Sequence, residues 1–488
     1  MNFNRRFSSP FILAATLVTS PNAIADVTVS KVFGDQMVLQ QGSPIRVWGT
    51  GDPGEGVSVS LGGKTAKTTT SKEGSWRVDL PSLSADGKSH SMTVKGKNTI
   101  EIKDILLGEV WICSGQSNME WAVNRSLNPQ EEIAAAKHPQ IRLYNVPGHV
   151  AQPEPGNDPR GKWQVCSPET VPGFSAVGYY FGRELQKKLN VPIGLVGTNW
   201  GGTRIEPWTP PVGFESVPNL KDYVENLATV TKARTEGKKA NPKGGAVQIY
   251  NGMVHALTPL SVRGVIWYQG ESNAGDGLRY DYLKEGLVKG WRSVFENDDL
   301  SFYWVQLANF RNPEDKPEGG GWGPVREGQR RALRLPKTGM AVIIDIGNAK
   351  DIHPKNKQDV GKRLALWALA KDYHNDIIPS GPLYKSMKKE GSKIRVSFDY
   401  VGSGLTTGEK TGLNPVKETK GADLARFSIQ DKAGKWHWAK AKIDGKDVVV
   451  WHDEVKDPQH VRFGYESNPV GINLYNKEGL PASPFTTD

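Results

Sequence analysis

The sequence predicts an α/β protein: a three-layer α/β/α domain built on a mainly parallel sheet, flanked by N- and C-terminal β-sandwich domains. Three observations carry that reading. At 488 residues the chain is too long for one ordinary domain. Between about 105 and 375, apolar strand-like runs alternate with helix-like stretches, as in a parallel sheet covered on both faces. On either side, residues 26–104 and 380–488 consist of short alternating runs separated by Gly, Pro and Asp turns.

From the N-terminus, residues 1–25 read as a signal peptide. Arg5 and Arg6 form a basic start, Pro10 to Val18 a short apolar run, and Ala23-Ile24-Ala25 a small-residue cleavage site. That run is too short to span a bilayer, and no later segment is apolar enough to do so. The mature chain is expected to be exported, periplasmic or extracellular, with no membrane insertion. Residues 26–104 alternate in Val27–Val32, Ile45–Trp48 and Gly56–Leu61, giving the first sandwich.

In the middle domain, strand candidates are Val110–Cys113, Ile193–Gly197, Gly264–Tyr268, Phe302–Leu307 and Ala341–Ile346. Helix candidates are Phe174–Leu189, Tyr280–Phe295, Val325–Leu335 and Lys357–Lys371. A loop-rich insertion, about 205–250, carries the charged run Arg234 to Lys239. From 380 onward, Lys393–Phe398 and Asp447–Trp451 open the second sandwich.

Composition narrows the function classes. The formal charge of +10 fits steering of anionic substrates such as acidic sugars, or simply solubility. An exported chain without a recognised nucleic-acid motif does not read as a nucleic-acid binder. Two cysteines, Cys113 and Cys166, make no disulfide scaffold, and sequence leaves open whether they pair. The 15 tryptophans are many, and Trp121, Trp200, Trp208, Trp267 and Trp322 lie beside the motifs below, as sugar platforms or as core. No metal-ligand spacing and no phosphate loop is present, so no metal or other cofactor is expected. Composition does not set the oligomeric state.

Four short motifs follow strand candidates, where a parallel sheet places its ligands. Gly115-Gln116-Ser117-Asn118-Met119 sets a serine at a strand-to-helix turn. A hydroxyl needs a base to become a nucleophile. His353, in Asp351-Ile352-His353-Pro354, is the first candidate and His255 the rival. Asp351 is the candidate acid that orients the base, with Asp345 as fallback. Ser117 N–H, a glycine N–H in Gly201-Gly202-Thr203 and the Asn273 amide in Gly270-Glu271-Ser272-Asn273 supply oxyanion donors. Gln116, Gln269, Glu271 and Arg204 are candidates for substrate contact or loop orientation, with Arg204 as a partner for Glu271. Together these parts imply two-step acyl transfer by a serine esterase.

The four blocks closely resemble those of the SGNH (GDSL-like) hydrolases, and within them the sialate O-acetylesterase and related carbohydrate acetylesterase group. Cys166-Ser167-Pro168 and Phe174-Ser175-Ala176-Val177 resemble that group too. The resemblance covers 105–375 and implies Ser117 as nucleophile, His353 as base, and Ser117, Gly201 and Asn273 as the oxyanion hole. The superfamily spaces its acid three residues before the histidine, where this chain has Lys350; Asp351 is two before, so a Ser–His dyad is the alternative. The substrate implied is an O-acetylated carbohydrate: sialic acid first, xylan or another plant polysaccharide next. A non-catalytic carbohydrate-binding protein on the same scaffold is the reading from a different class.

Overall fold

A computed structural model describes residues 26–227, 245–314 and 316–488. The expected signal peptide, residues 1–25, the Arg234–Lys239 run and part of the 205–250 insertion lie outside the described residues.

The central sheet grows from the strand Thr99–Gly115, whose last eleven residues, from Ile105, contain no exposed position. Ile193–Asn199 pairs with it in parallel on one side and Gly264–Tyr268 on the other. Beyond these lie His138–Asn145 on the first side, and Ser301–Val305 then Thr338–Ala341 on the second, all parallel. Only the edge strand Trp163–Cys166 runs antiparallel on that path. Near-continuous apolar runs such as Val110–Cys113 and Gly264–Tyr268 are what strands covered on both faces require.

Helices supply the two outer layers. Ala176–Leu189 is capped by Ser175, whose hydroxyl accepts from Gly178 N–H, and it packs against Lys357–Lys371. Trp111 meets Phe181 on this face in an edge contact. Gly361 allows that helix pair to approach closely, since a Cβ there would lie 2.7 Å from the Phe181 backbone. On the opposite face Trp267 packs against Trp291 of the helix Tyr280–Val294. The sequence expectation of a strand over Ala341–Ile346 differs from the structure: pairing stops at Ala341, and Asp345 instead turns to meet Arg363.

The strand Thr99–Gly115 also belongs to the N-terminal β module. Its first half pairs antiparallel with His90–Lys95, and Val38–Gln40 pairs with it in parallel at Leu106–Gly108. One apolar core therefore runs unbroken from Val27 through the central domain. The C-terminal region differs. Its antiparallel sheets, including Leu383–Glu390, Lys393–Asp399, Asp447–Trp451 and Lys440–Asp444, enclose a core of their own around Val396, Val450, Ile429 and Phe463. The buried Arg326 guanidinium joins that region to the central domain through the carbonyls of Leu307, Ala308, Glu466 and Ser467.

Candidate active site

Gly115 ends the central strand with φ +140°, and a Cβ there would sit 2.2 Å from the Tyr268 carbonyl. Only glycine lets the chain turn at this point. Ser117 then opens the short helix Ser117–Glu120, so its N–H lacks an intrahelical acceptor. Its Oγ lies 2.9 Å from His353 Nε2. The His353 ring is stacked on Trp121 at 4.9 Å, and Arg125 covers the indole at 3.8 Å. Asp351 Oδ1 accepts the His353 backbone N–H at 2.9 Å and lies 3.4 Å from the ring Nδ1. Burial, followed by the Lys357 charge, holds the His353 pKa below its usual value, with Asp351 pulling the other way. That direction favours the neutral ring a general base needs.

The rivals are committed elsewhere. His255 Nδ1 contacts Tyr250 Oη at 3.2 Å. Asp345 is bound by both Arg363 nitrogens at 2.6 and 2.8 Å, which removes it as the acid for His353.

Two of the expected oxyanion donors are also used. Gly201 lies beside Ser117, where an added Cβ would come within 3.3 Å of Ser117 Cβ. Yet its N–H donates to Glu120 Oε2 at 2.6 Å. Glu120 in turn pairs with His149 Nε2 at 2.7 Å, and His149 stacks on Trp200 at 5.1 Å. Asn273 corrects the sequence expectation more sharply. Its amide donates to Glu206 at 3.0 Å and Asp276 at 2.8 Å, and its oxygen accepts from Ile205 N–H and Gln269. A fully buried side chain with all its bonds made is a loop brace. Gly-x-x-Asn spacing fixes where this residue sits but not where its N–H groups point.

The neighbours of Asn273 form one network. Arg204 pairs with Glu206 and Asp276 and donates to the Ser272 carbonyl, rather than reaching Glu271. Burial tends to raise the Glu206 pKa, but Arg204 and Asn273 outweigh it and hold it low. Gln269 donates to Thr203 O and accepts from Tyr280 Oη, which makes it a brace as well. Gln116 accepts from Ser272 N–H at 3.3 Å through Oε1, while its Nε2 makes no hydrogen bond among the described residues.

Behind Ser117, a buried chain escaped the sequence reading. Asn118 donates to Glu271 Oε1 at 2.5 Å and to the Ile352 carbonyl at 3.0 Å, and it accepts from Lys357 Nζ. It thus ties the nucleophile turn to the histidine loop. Burial pushes the Lys357 ammonium down to about 7, against the pull of Glu271 and Asp351. One signal was present: a lysine at the first position of a helix opposes the macrodipole and needs a reason.

The tryptophans split. Trp208, Trp267 and Trp322 are core, and Trp121 has its faces taken by His353 and Arg125. Trp200 is half-buried beside His149. Both cysteines are free thiols, Cys166 being pushed up to about 12 by burial.

A sequence model of the carbohydrate esterase, sialic acid-specific acetylesterase family matches residues 107–370, more than half of the chain. The chain belongs to that family. This carbohydrate esterase is 31 % identical over 423 residues to the sialate O-acetylesterase of Mus musculus, covering 75 % of this chain and 77 % of the relative. It is 29 % identical over 408 residues to that of Homo sapiens, covering 76 % of each. Among solved structures, a carbohydrate acetylesterase from Xanthomonas citri superposes with a TM-score of 0.83 at 36 % identity, over 95 % of this chain and 99 % of the other. The esterase is accordingly a carboxylic ester hydrolase acting on carbohydrate. No helix among the described residues is long and apolar enough to cross a membrane.

Proposed function

We propose that the chain is an exported acetylesterase that removes O-acetyl groups from sialic acids by a Ser117 acetyl-enzyme. The observation that carries the mechanism is the 2.9 Å contact between Ser117 Oγ and His353 Nε2. His353 takes the Ser117 proton as Oγ attacks the acetyl carbonyl, then returns it to the departing sugar hydroxyl. Water, deprotonated by the same ring, then releases acetate. Asp351 is the acid that orients the ring. Ser117 N–H is the first oxyanion donor, aided by the helix N-terminus. The uncommitted Gln116 Nε2 is a second, and the Gly201 N–H becomes a third when an acyl oxygen displaces Glu120. The sialic acid reading rests on the curated relatives. Acetylated plant polysaccharide is the second reading; the near full-length match to a carbohydrate acetylesterase from Xanthomonas citri supports acetyl removal from carbohydrate and favours neither sugar. Export rests on the basic-apolar-small pattern of residues 1–25.

Acetate release from acetylated sialoglycoprotein and acetylated xylan, by wild type and Ser117→Ala in parallel, tests both parts. Activity lost in the variant supports the acyl-enzyme, and the preferred polymer decides the substrate. Full activity in Ser117→Ala overturns the mechanism.

The pH profile gives a further check. Because burial and the Lys357 charge hold the His353 pKa below its usual value, kcat/KM is expected to fall on the acid side at a lower pH than an unperturbed imidazole would give, as the base is protonated. Lys357→Met removes a positive neighbour, so the acid limb should move to higher pH. A limb that stays in place or moves down would show that Lys357 does not act on the base.

A further inference from the structure

We infer a divalent transition-metal site in the C-terminal β region, formed by His437, His452 and Glu454. The three residues are far from Ser117 in sequence, and no metal-ligand spacing links them, but the fold brings one donor atom of each within 4.8 Å of the others. A tetrahedral ion with bonds of about 2.0–2.2 Å spaces its ligands by roughly 3.4 Å. Closing the remaining distance needs only a small side-chain adjustment, and Glu454 is exposed and able to make it.

The two rings are already arranged for this. Their centroids are 4.9 Å apart at 36°. His437 Nε2 lies 2.9 Å from Asp431 Oδ2, in a side chain only 13 % exposed. A carboxylate acceptor places the proton on Nε2 and leaves Nδ1 with its lone pair, the outer partner that metal-binding imidazoles commonly have. His452 Nδ1 accepts the Glu454 N–H at 3.2 Å, a long bond that an ion bound at Nδ1 would displace. Two imidazoles and a carboxylate, with water in the fourth position, suit zinc, nickel or copper better than calcium or magnesium.

Its place in the fold gives the site a role. His437 lies in Trp436–Trp438, which pairs with Phe427–Gln430, whereas His452 directly follows Asp447–Trp451 of a different sheet. An ion held by both would clip the two sheets of the sandwich together, so binding would favour the folded state by mass action.

Isothermal titration of tag-free, chelator-treated full-length protein with zinc chloride tests the site, with cobalt(II) visible absorption reporting coordination. The expected result is one equivalent per chain and a higher thermal midpoint. Both should be lost in His437→Ala and His452→Ala, and affinity should fall about 10- to 100-fold in Asp431→Asn. Ser117→Ala should bind as wild type does. Absence of binding, or binding retained by both histidine variants, overturns the assignment. These partly exposed positions can change without unfolding the chain, and unchanged acetate release by each variant confirms that it is folded.

Discussion

His353→Ala is expected to lower kcat on 4-nitrophenyl acetate by about 10⁴-fold or more, because no other base among the described residues contacts the Ser117 hydroxyl. The rival His255 is held at Tyr250, and the remaining neighbour of the ring on the stacking side is an indole. KM should change little, since the imidazole contributes to the transition state more than to binding. Asp351→Asn should cost much less, roughly 10- to 100-fold. A strongly coupled acid at this place in a triad is worth about 10⁴. Here the carboxylate stands 3.4 Å from Nδ1, spends its best hydrogen bond on a backbone amide, and is 40 % exposed. Water therefore screens it. Steady-state kinetics of the two variants side by side decide the matter. Equal losses would make Asp351 a full triad member, and an undiminished His353→Ala would remove the histidine from the reaction.

Arg326→Leu is expected to destabilise the protein by roughly 1–3 kcal/mol for each buried carbonyl it leaves without a donor. The side chain has no exposure, and its guanidinium donates to four carbonyls drawn from two regions of the chain. Leucine fills part of the space but supplies no donor; the Ser467 carbonyl keeps the Phe310 N–H, whereas the Leu307, Ala308 and Glu466 carbonyls lose the guanidinium in a dry setting. The guanidinium chloride midpoint of the variant should fall well below that of wild type. A change under about 1 kcal/mol would mean that the carbonyls rehydrate, and that the joint is held by packing instead.

The parts of the site that were legible in the sequence are those fixed by backbone geometry. Ser117 and His353 follow from strand ends and turns, and their blocks lie where a parallel sheet opens. The directions of side-chain donors were not legible. Asn273 sits where its spacing requires, yet its amide serves Glu206 and Asp276. Gly201 lies against Ser117 but gives its N–H to Glu120, a residue that no spacing rule singles out. Arg204 met Glu206 and Asp276, partners that only the folded loops bring near. In the fold, alternation identified the central strands, but the end of pairing at Ala341 depends on whether a neighbour continues, which a single run cannot show.

The strand Thr99–Gly115 has a consequence for how this enzyme can be taken apart. Its two ends lie in different sheet systems, and the second ends two residues before the nucleophile. There is no seam there at which a gene could be cut. A fragment starting at residue 105 would keep the catalytic end but strip the cover from Leu106 and Leu107, in the strand at the middle of the sheet. The upstream β module therefore travels with the chemistry as chassis, whereas the C-terminal β region keeps a core of its own and meets the catalytic domain at a polar joint centred on Arg326.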